Sequence, residues 1–210
     1  MINAVRNTLS NNALDPAFVA EAVLLPSEAF IGDQMAMVDP DAIHVARERL
    51  RIDLGRALEN QWRVAHARYA QSGYIYSPEA KGARRMRNVA LGYIMGSGTP
   101  DAGALAFAQF EAADNMTDRL AALGTLASSD AEERVAALDI FYNRYLDDAL
   151  VIDKWFATQA LSVRHDTLEA VKELAQHTDF ALTNPNRVRS LVGSFAINQG
   201  LEMARRLLLD

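Results

Sequence analysis

Apolar and polar positions along the chain follow the period of amphipathic α-helices. In the longest segment, from about residue 41 to residue 69, apolar side chains recur at steps of three, four or seven, and arginines and acids fill the other faces. The stripe consists of Ile43, Leu50, Leu54, Leu58, Trp62 and Ala65. It is typical of a helix that packs on one side. No run of strand length alternates β-branched or aromatic residues with polar ones, so the sequence predicts an all-α fold.

Residues that start helices recur at short intervals. Ser, Thr, Asp and Asn cap the first turn, and proline fits the first helical position because its missing N–H has no partner there. The predicted starts are Asp15-Pro16, Pro26-Ser27-Glu28, Asp39-Pro40, Ser77-Pro78, Thr99-Pro100, Asn115, Ser128-Ser129-Asp130, Asp147-Asp148, Asp166 and Asn184-Pro185. The helix that begins at the last of these is expected to reach about Ile197. Short breaks predict that neighbouring helices run antiparallel.

The helices also repeat in sequence. Residues 87–94 (RNVALGYI) align with 119–126 (RLAALGTL), and 153–157 echoes 118–122, at steps of 32 and 35 residues. A helix pair with its turns has about this length, although two helices rich in alanine and leucine can also resemble each other by chance. The spacing predicts one domain over residues 1–210, a superhelical stack of antiparallel helix pairs of the HEAT or armadillo kind. Gly92 and Gly124 are expected where neighbouring helices cross closely. The predicted core includes Trp62, Leu91, Leu123, Trp155, Phe156 and Phe195.

Composition narrows the classes of function. The 210 residues contain no cysteine, which excludes a thiolate metal site and a cysteine nucleophile. The net charge of −6 speaks against general binding to nucleic acid or to anionic membranes. We find neither a signal peptide nor a run of about 18 apolar residues that could cross a bilayer. The expectation is a soluble, cytoplasmic protein with no nucleic-acid or membrane partner.

Patterns for catalysis and metal binding are absent from the sequence. None of the four histidines lies in His-Glu-x-x-His or Glu-x-x-His, which place metal ligands on one helix face. His44 with Glu48, and Glu173 with His177, share a helix face at i, i+4, and we interpret both pairs as surface contacts. The sequence therefore predicts no catalytic residue, no metal site and no cofactor in this chain.

Two arginine clusters remain as candidates for binding. Arg84, Arg85 and Arg87 lie close together on one predicted helix, where we interpret them as part of a solvated face. Arg187 and Arg189 lie in the first turn of the last predicted helix, where cations oppose the positive end of the macrodipole at a cost of about 0.3–1 kcal/mol each. Something must therefore hold their guanidinium groups. An acidic group on another helix and a substrate carboxylate are the two alternatives.

Six motifs occur in order along residues 20–197. They are LPSE (25–28), VDPDAIH (38–44), RN (87–88), NMTD (115–118), DKWFA (153–157) and NPNRVRSLVG (184–193). In this order they resemble the C-terminal domain of bacterial aminopeptidases of the aminopeptidase N type, within the gluzincin family. After Asn198 the sequence departs from the family pattern, and the place of Arg205 and Arg206 in it stays open.

The resemblance implies a fold and a role. Family members remove N-terminal residues from peptides with one zinc ion, which a separate thermolysin-like domain holds. Their C-terminal superhelix covers that active site and leaves a channel for the peptide. The resemblance thus implies zinc and catalysis in a parent enzyme, whose remaining domains are the partners of this chain and whose peptide substrate is an indirect one. Arg189 matches the second arginine of the NPNRxR motif, which lies toward the channel, and Arg187 is the second substrate-channel candidate.

Two functions from different classes follow. The first is a non-catalytic domain that covers the active site of a parent zinc aminopeptidase and shapes the peptide access channel. The second is a free-standing HEAT-like scaffold that binds protein partners on its concave face. A reading frame that continues upstream into His-Glu-x-x-His would favour the first function, the domain of a zinc aminopeptidase.

Overall fold

The computed structural model describes residues 1–198, in which every regular element is helical. In chain order these are α1 Ile2–Ser10, α2 Pro16–Val23, α3 Glu28–Asp33, α4 Pro40–Ala57, α5 Glu59–Arg68, α6 Pro78–Ser97, α7 Ala102–Ala112, α8 Met116–Ala127, α9 Glu133–Arg144, α10 Ala149–Ala160, α11 Thr167–Leu174, α12 Pro185–Val188, a π-helical segment Arg189–Gly193 and α13 Ser194–Ala196. The all-α prediction is confirmed for these residues. The sequence beyond Asn198, with Arg205 and Arg206, lies outside them.

Most helices begin where the sequence predicts. Side chains of the predicted cap residues accept hydrogen bonds from backbone N–H groups of the first turn. This holds for Asp15, Ser27, Asp39, Ser77, Asn115, Asp148 and Asn184. Three predicted starts differ in the structure. α7 begins at Ala102 and α9 at Glu133, each later than predicted and without a side-chain cap, and the Asp166 carboxylate binds Arg164 instead of capping α11. No helix among residues 1–198 is both long and apolar enough to span a bilayer.

The chain forms two compact units, Met1–Ala122 (unit 1) and Leu123–Asp210 (unit 2). The prediction of a single domain stays a prediction. In unit 1, α6 is the central helix and packs against α2, α4, α5 and α7. Its buried face includes Met86, Ala90, Leu91 and Ile94. Trp62 is fully buried and stacks on Tyr93 with ring centroids 4.1 Å apart.

The long helix expected over residues 41–69 is broken at Leu58. The backbone of Leu58 leaves the helical region, at φ −125° and ψ 25°. The side chain of Trp62 reaches back across the break, and its Nε1–H donates to the Leu54 carbonyl at 3.0 Å. The same carbonyl also accepts from the Leu58 N–H at 3.2 Å. A side-chain donor inserted into the backbone ladder is a recognised cause of helix breaks, so a single stripe of apolar residues serves two helices.

A close helix crossing lies at Gly55, whereas the two glycines predicted from the sequence, Gly92 and Gly124, lie in open space. A Cβ on Gly55 would meet the Tyr93 carbonyl oxygen at 2.5 Å and the Ser97 nitrogen at 3.0 Å, both on the backbone of α6. Nothing lies within 4 Å of a Cβ placed on Gly92 or Gly124. The expectation for those two glycines is therefore wrong, and α4 approaches α6 through Gly55.

A buried polar network joins four helices of unit 1. The Asn88 amide on α6 donates to Asp118 Oδ1 on α8 at 3.0 Å. Gln109 on α7 donates through Nε2 to Asn88 Oδ1 at 2.8 Å and to the Asp118 carbonyl at 3.1 Å. Its Oε1 lies 2.8 Å from His66 Nε2 on α5. Burial lowers the pKa of His66 below its ordinary 6.5, so the ring is neutral at pH 7.

The core of unit 2 is built around α10. Phe141, Phe156 and Leu123 are fully buried, and Trp155 donates through Nε1 to the Leu138 carbonyl at 3.0 Å. Phe195 is only partly buried, so its place in the predicted core is wrong. Phe195 follows the π-helical segment Arg189–Gly193, whose turn is wider than the α-helical turn on which the predicted core position rests.

The two glycines Gly55 and Gly92 provide a matched test of the packing. Gly55→Ala forces α4 away from α6 and is expected to lower the free energy of unfolding by about 1–3 kcal/mol. Gly92→Ala enters open space in a helix interior and is expected to raise it by up to about 1 kcal/mol. Urea unfolding of both variants measures the difference. Equal effects of the same sign would contradict the assigned crossing.

Candidate functional site

The candidate arginines lie on a short helix with an irregular continuation. Asn184 caps α12 through its Oδ1, which accepts from the N–H groups of Asn186 at 3.1 Å and Arg187 at 3.3 Å. Pro185 occupies the first helical position. The π-helical segment starts directly after α12, and the Ser194 N–H donates to the Arg189 carbonyl five residues earlier. Such π turns occur often at functional sites.

Arg187 is buried inside unit 2. Its side chain is 6% exposed, and its Nε lies 2.8 Å from Asp153 Oδ1 on α10. The N–H does not point at that oxygen, so the contact is an ion pair without a well-formed hydrogen bond. The guanidinium also lies over the Phe156 ring, 4.9 Å from its centroid. Of the two alternatives from the sequence, an acidic group on another helix is the one that holds Arg187.

Arg189 is exposed at the edge of an open groove in unit 2. The groove has a volume of about 410 Å³ and lies between α10 and the start of the π-helical segment. Its lining includes Lys154 and Ser190 beside Arg189. The contact that Arg189 makes within the chain is weak, because Nη1 is 3.4 Å from Asn186 Oδ1 on the surface.

The charges around this groove favour an anionic or carbonyl-bearing ligand. Asp153 also lines the groove, but its carboxylate already faces Arg187. Lys154 and Arg189 are both exposed cations, and no ion pair among residues 1–198 involves either of them. Guanidinium groups bind carboxylates through two parallel hydrogen bonds. The site can therefore hold a carboxylate or a peptide carbonyl, while it offers no nucleophile with an adjacent base.

The histidine pairs make other contacts than the sequence suggested. His44 Nδ1 lies 2.8 Å from Glu28 Oε1 and not against Glu48, whose carboxylate binds Arg51. α11 ends at Leu174, so His177 does not share a helix face with Glu173, and its ring packs edge-on against Phe156 at 5.7 Å. Across residues 1–198, no group of three or more His, Asp or Glu side chains is arranged to hold a metal ion.

The arginines of α6 do not form a solvated face. Only Arg85 is on the surface, where it pairs with Glu21 at 2.7 Å. Arg84 is 4% exposed, and the side chain of Arg87 is 16% exposed, with Nη1 3.7 Å from Asp118 Oδ2. The interpretation of this cluster as a solvated face is wrong, because a long arginine can bury its stem while its head finds polar partners.

Sequence reasoning missed the identity of the partner of Arg187. Asp153 lies 34 residues before Arg187, close to the 35-residue step of the repeat. An arginine and an aspartate about one repeat apart, on what the structure shows to be α12 and α10, would have been the signal. The groove cation Lys154 follows Asp153 directly and is part of the DKWFA motif, but nothing in the sequence indicates that it lines the same groove as Arg189.

The Arg187–Asp153 pair has a testable effect on stability. Arg187→Leu leaves the Asp153 carboxylate partly buried without its cation and should lower the free energy of unfolding by about 3–5 kcal/mol. The double variant with Asp153→Leu should recover part of that loss. Arg189→Leu, the exposed control on the same turn, should stay within about 0.5 kcal/mol of the parent chain. Urea unfolding followed by circular dichroism measures all four, and equal small effects of both arginines would contradict the buried pair.

Known proteins resemble this chain over nearly its whole length. Aminopeptidase N of Escherichia coli (strain K12) is 36% identical over 194 residues, and aminopeptidase N of Caulobacter vibrioides is 37% identical over 197 residues. Each alignment covers 92% of this chain but only 22% or 23% of the relative. The chain thus spans less than a quarter of the length of these relatives.

A solved structure and a family model agree with this. The structure of Legionella pneumophila aminopeptidase A in complex with aspartic acid matches with a TM-score of 0.83 and 29% identity, over 95% of this chain and 24% of that one. The model of a family described as a domain of unknown function (DUF3458_C) with ARM repeats matches residues 1–202, which confirms the predicted armadillo-like stack. The chain belongs to this ARM-repeat family and corresponds to the C-terminal helical domain of proteins like aminopeptidase N.

Proposed function

We propose that this chain is the non-catalytic part of an aminopeptidase, where it covers the active site and shapes the channel through which peptides enter. The observation that supports this most directly is the match of nearly the whole chain to less than a quarter of aminopeptidase N. A chain that matches only one part of longer relatives works, in this proposal, as one domain among others. The same match favours the gating role over a free-standing scaffold.

The chemistry of the reaction belongs in this proposal to the rest of the parent enzyme. We propose a zinc-dependent hydrolase that works in the cytoplasm, with its zinc ligands and general base in another domain. This chain contributes no ligand, because His-Glu-x-x-His does not occur in its sequence. Its partners are the other domains of the parent, and the peptide is contacted only on its way to the active site.

Arg189 is the side chain that we propose to face the peptide. It is exposed at the groove, and Lys154 extends the positive charge along the same groove. Arg187 is the second candidate from the sequence, but its guanidinium is buried against Asp153. We assign Arg187 the role of holding α12 on α10, so that Arg189 is presented from a fixed helix start.

Kinetics of the full-length enzyme test the role of Arg189. Charge-assisted hydrogen bonds to a peptide carbonyl or to the C-terminal carboxylate contribute about 1.5–3 kcal/mol. Arg189→Ala should therefore raise KM for peptides by about tenfold or more. It should change KM little for a single-residue chromogenic substrate, which has no distal carboxylate. Arg144→Ala, at the exposed end of α9, is the matched control and should affect neither substrate.

The opposite pattern of results would contradict the proposed place of Arg189 in the channel. If Arg189→Ala lowers the melting temperature and weakens peptide and chromogenic substrates to the same extent, the residue serves helix packing. Measured on the same preparation, the melting temperature and the two KM values separate these outcomes.

A further inference from the structure

A second groove, in unit 1, is lined by cations and contains no acid among its lining residues. It has a volume of about 590 Å³ and lies on α4 and α6 beside the start of α8. Five of its lining side chains are basic, namely Arg47, Arg51, Lys81, Arg84 and Arg85. The whole chain carries a net charge of −6, so this concentration of positive charge is local. Its volume is within the usual range for ligand pockets, about 300–1,000 Å³.

Carboxylates from outside the lining neutralise only part of this charge. Glu48 contacts Arg51 at 2.8 Å and Arg47 at 3.4 Å, and Glu21 contacts Arg85 at 2.7 Å. Five cations thus share two carboxylates. No ion pair within residues 1–198 includes Arg84 or Lys81. The groove therefore keeps an excess of positive charge that a bound anion can balance.

Arg84 supplies the strongest argument, because its charge is buried without a counter-ion. The side chain is 4% exposed. Its Nη1 donates to the Ile75 carbonyl at 3.0 Å and to Gln71 Oε1 at 3.2 Å, and its guanidinium lies 5.1 Å from the Tyr74 ring centroid. All of these partners are neutral. A buried cation is unfavourable unless a negative group lies close to it, so the site gains most from a ligand that brings one.

The other walls of the groove are apolar or aromatic. Leu24, Val89 and Ala121 line it, and Tyr93 turns its hydroxyl away to donate to the Val23 carbonyl at 2.7 Å. Burial raises the pKa of Tyr93 to about 12, so this wall carries no negative charge at pH 7. The ligand that fits has a negative group beside an apolar side chain.

We propose that this groove binds a peptide carboxylate flanked by an apolar residue. The carboxylate is either an internal Asp or Glu side chain or a free C-terminus, since both present the same two oxygens to guanidinium groups. A nucleic acid fits less well, because its row of phosphates would extend over an acidic protein surface while the apolar walls stayed unused. The site is in unit 1 and does not rest on the role proposed for Arg189.

Calorimetric titration of the 210-residue chain tests the proposal without any peptidase activity. The first probe is the acetylated and amidated peptide Ala-Leu-Glu-Leu-Ala, and its matched control replaces glutamate by glutamine. A third peptide keeps the glutamine but ends in a free carboxylate. We expect the glutamate peptide, the free-carboxylate peptide or both to bind at least about tenfold more tightly than the control. Comparison of the two acidic probes shows which carboxylate the groove takes.

Variants locate the binding site. Arg84→Gln and Lys81→Gln should each weaken binding of the acidic peptide several-fold or more. Arg49→Gln, which removes an exposed arginine of α4 that does not line the groove, should leave the affinity unchanged. Arg189→Ala should also leave it unchanged, so this proposal and the channel role of Arg189 can fail independently. If circular dichroism shows that Arg84→Gln unfolds the chain, Lys81→Gln decides.

Four results would overturn the assignment. One is equal affinity for the glutamate, free-carboxylate and glutamine peptides, and another is a loss with Arg49→Gln as large as with Lys81→Gln. The third is a single-stranded oligonucleotide that displaces the acidic peptide and binds more tightly than it. An absence of heat at millimolar peptide would likewise show that the groove is no peptide site.

Discussion

Carboxylates with little exposure join α6 to α8 in unit 1 and α10 to α12 in unit 2, and the surrounding packing depends on them. Asp118 accepts from Asn88 at 3.0 Å in unit 1, and Asp153 faces Arg187 at 2.8 Å in unit 2. The two aspartates are 35 residues apart, which is one step of the sequence repeat. A buried charge that loses its partner costs several kcal/mol. Each of these two helix pairs must therefore meet in the register that brings its two side chains together.

This constraint separates the residues that build the fold from those left to bind. The motifs that carry the family resemblance include the buried Asp118 and Arg187 and the partly buried Asn88 and Asp153, all of which hold helices in place. Their role is structural, although polar and charged residues in such motifs invite a catalytic interpretation. The side chains that remain available for binding are exposed cations on the same helices. Arg189, two residues after buried Arg187, is the clearest case.

Local signals made much of the fold predictable, and long-range contacts account for what the sequence left open. Caps such as Asp148 act within one turn, so the sequence alone places them. The break at Leu58 depends on where the Trp62 indole reaches, and a π segment precedes the partly buried Phe195; neither feature has a periodic signature in the sequence. The candidate site was half predictable. The misplaced charges of Arg187 and Arg189 were visible in the sequence, but which one is buried is decided by a carboxylate on another helix.

The buried network around Asp118 has one member that changes charge near neutral pH, and this gives the most direct test. Burial lowers the pKa of His66, so the unfolded chain binds the proton more readily than the folded one. The stability that neutral His66 contributes should be fully present above pH 6.5, the ordinary pKa of histidine. It should decline as the pH falls below that value. Urea unfolding between about pH 5 and pH 8 measures this. The account predicts that the free energy of unfolding falls toward pH 5 and that this fall is smaller in His66→Gln. The same pH dependence in both proteins would contradict a buried, neutral histidine in the network.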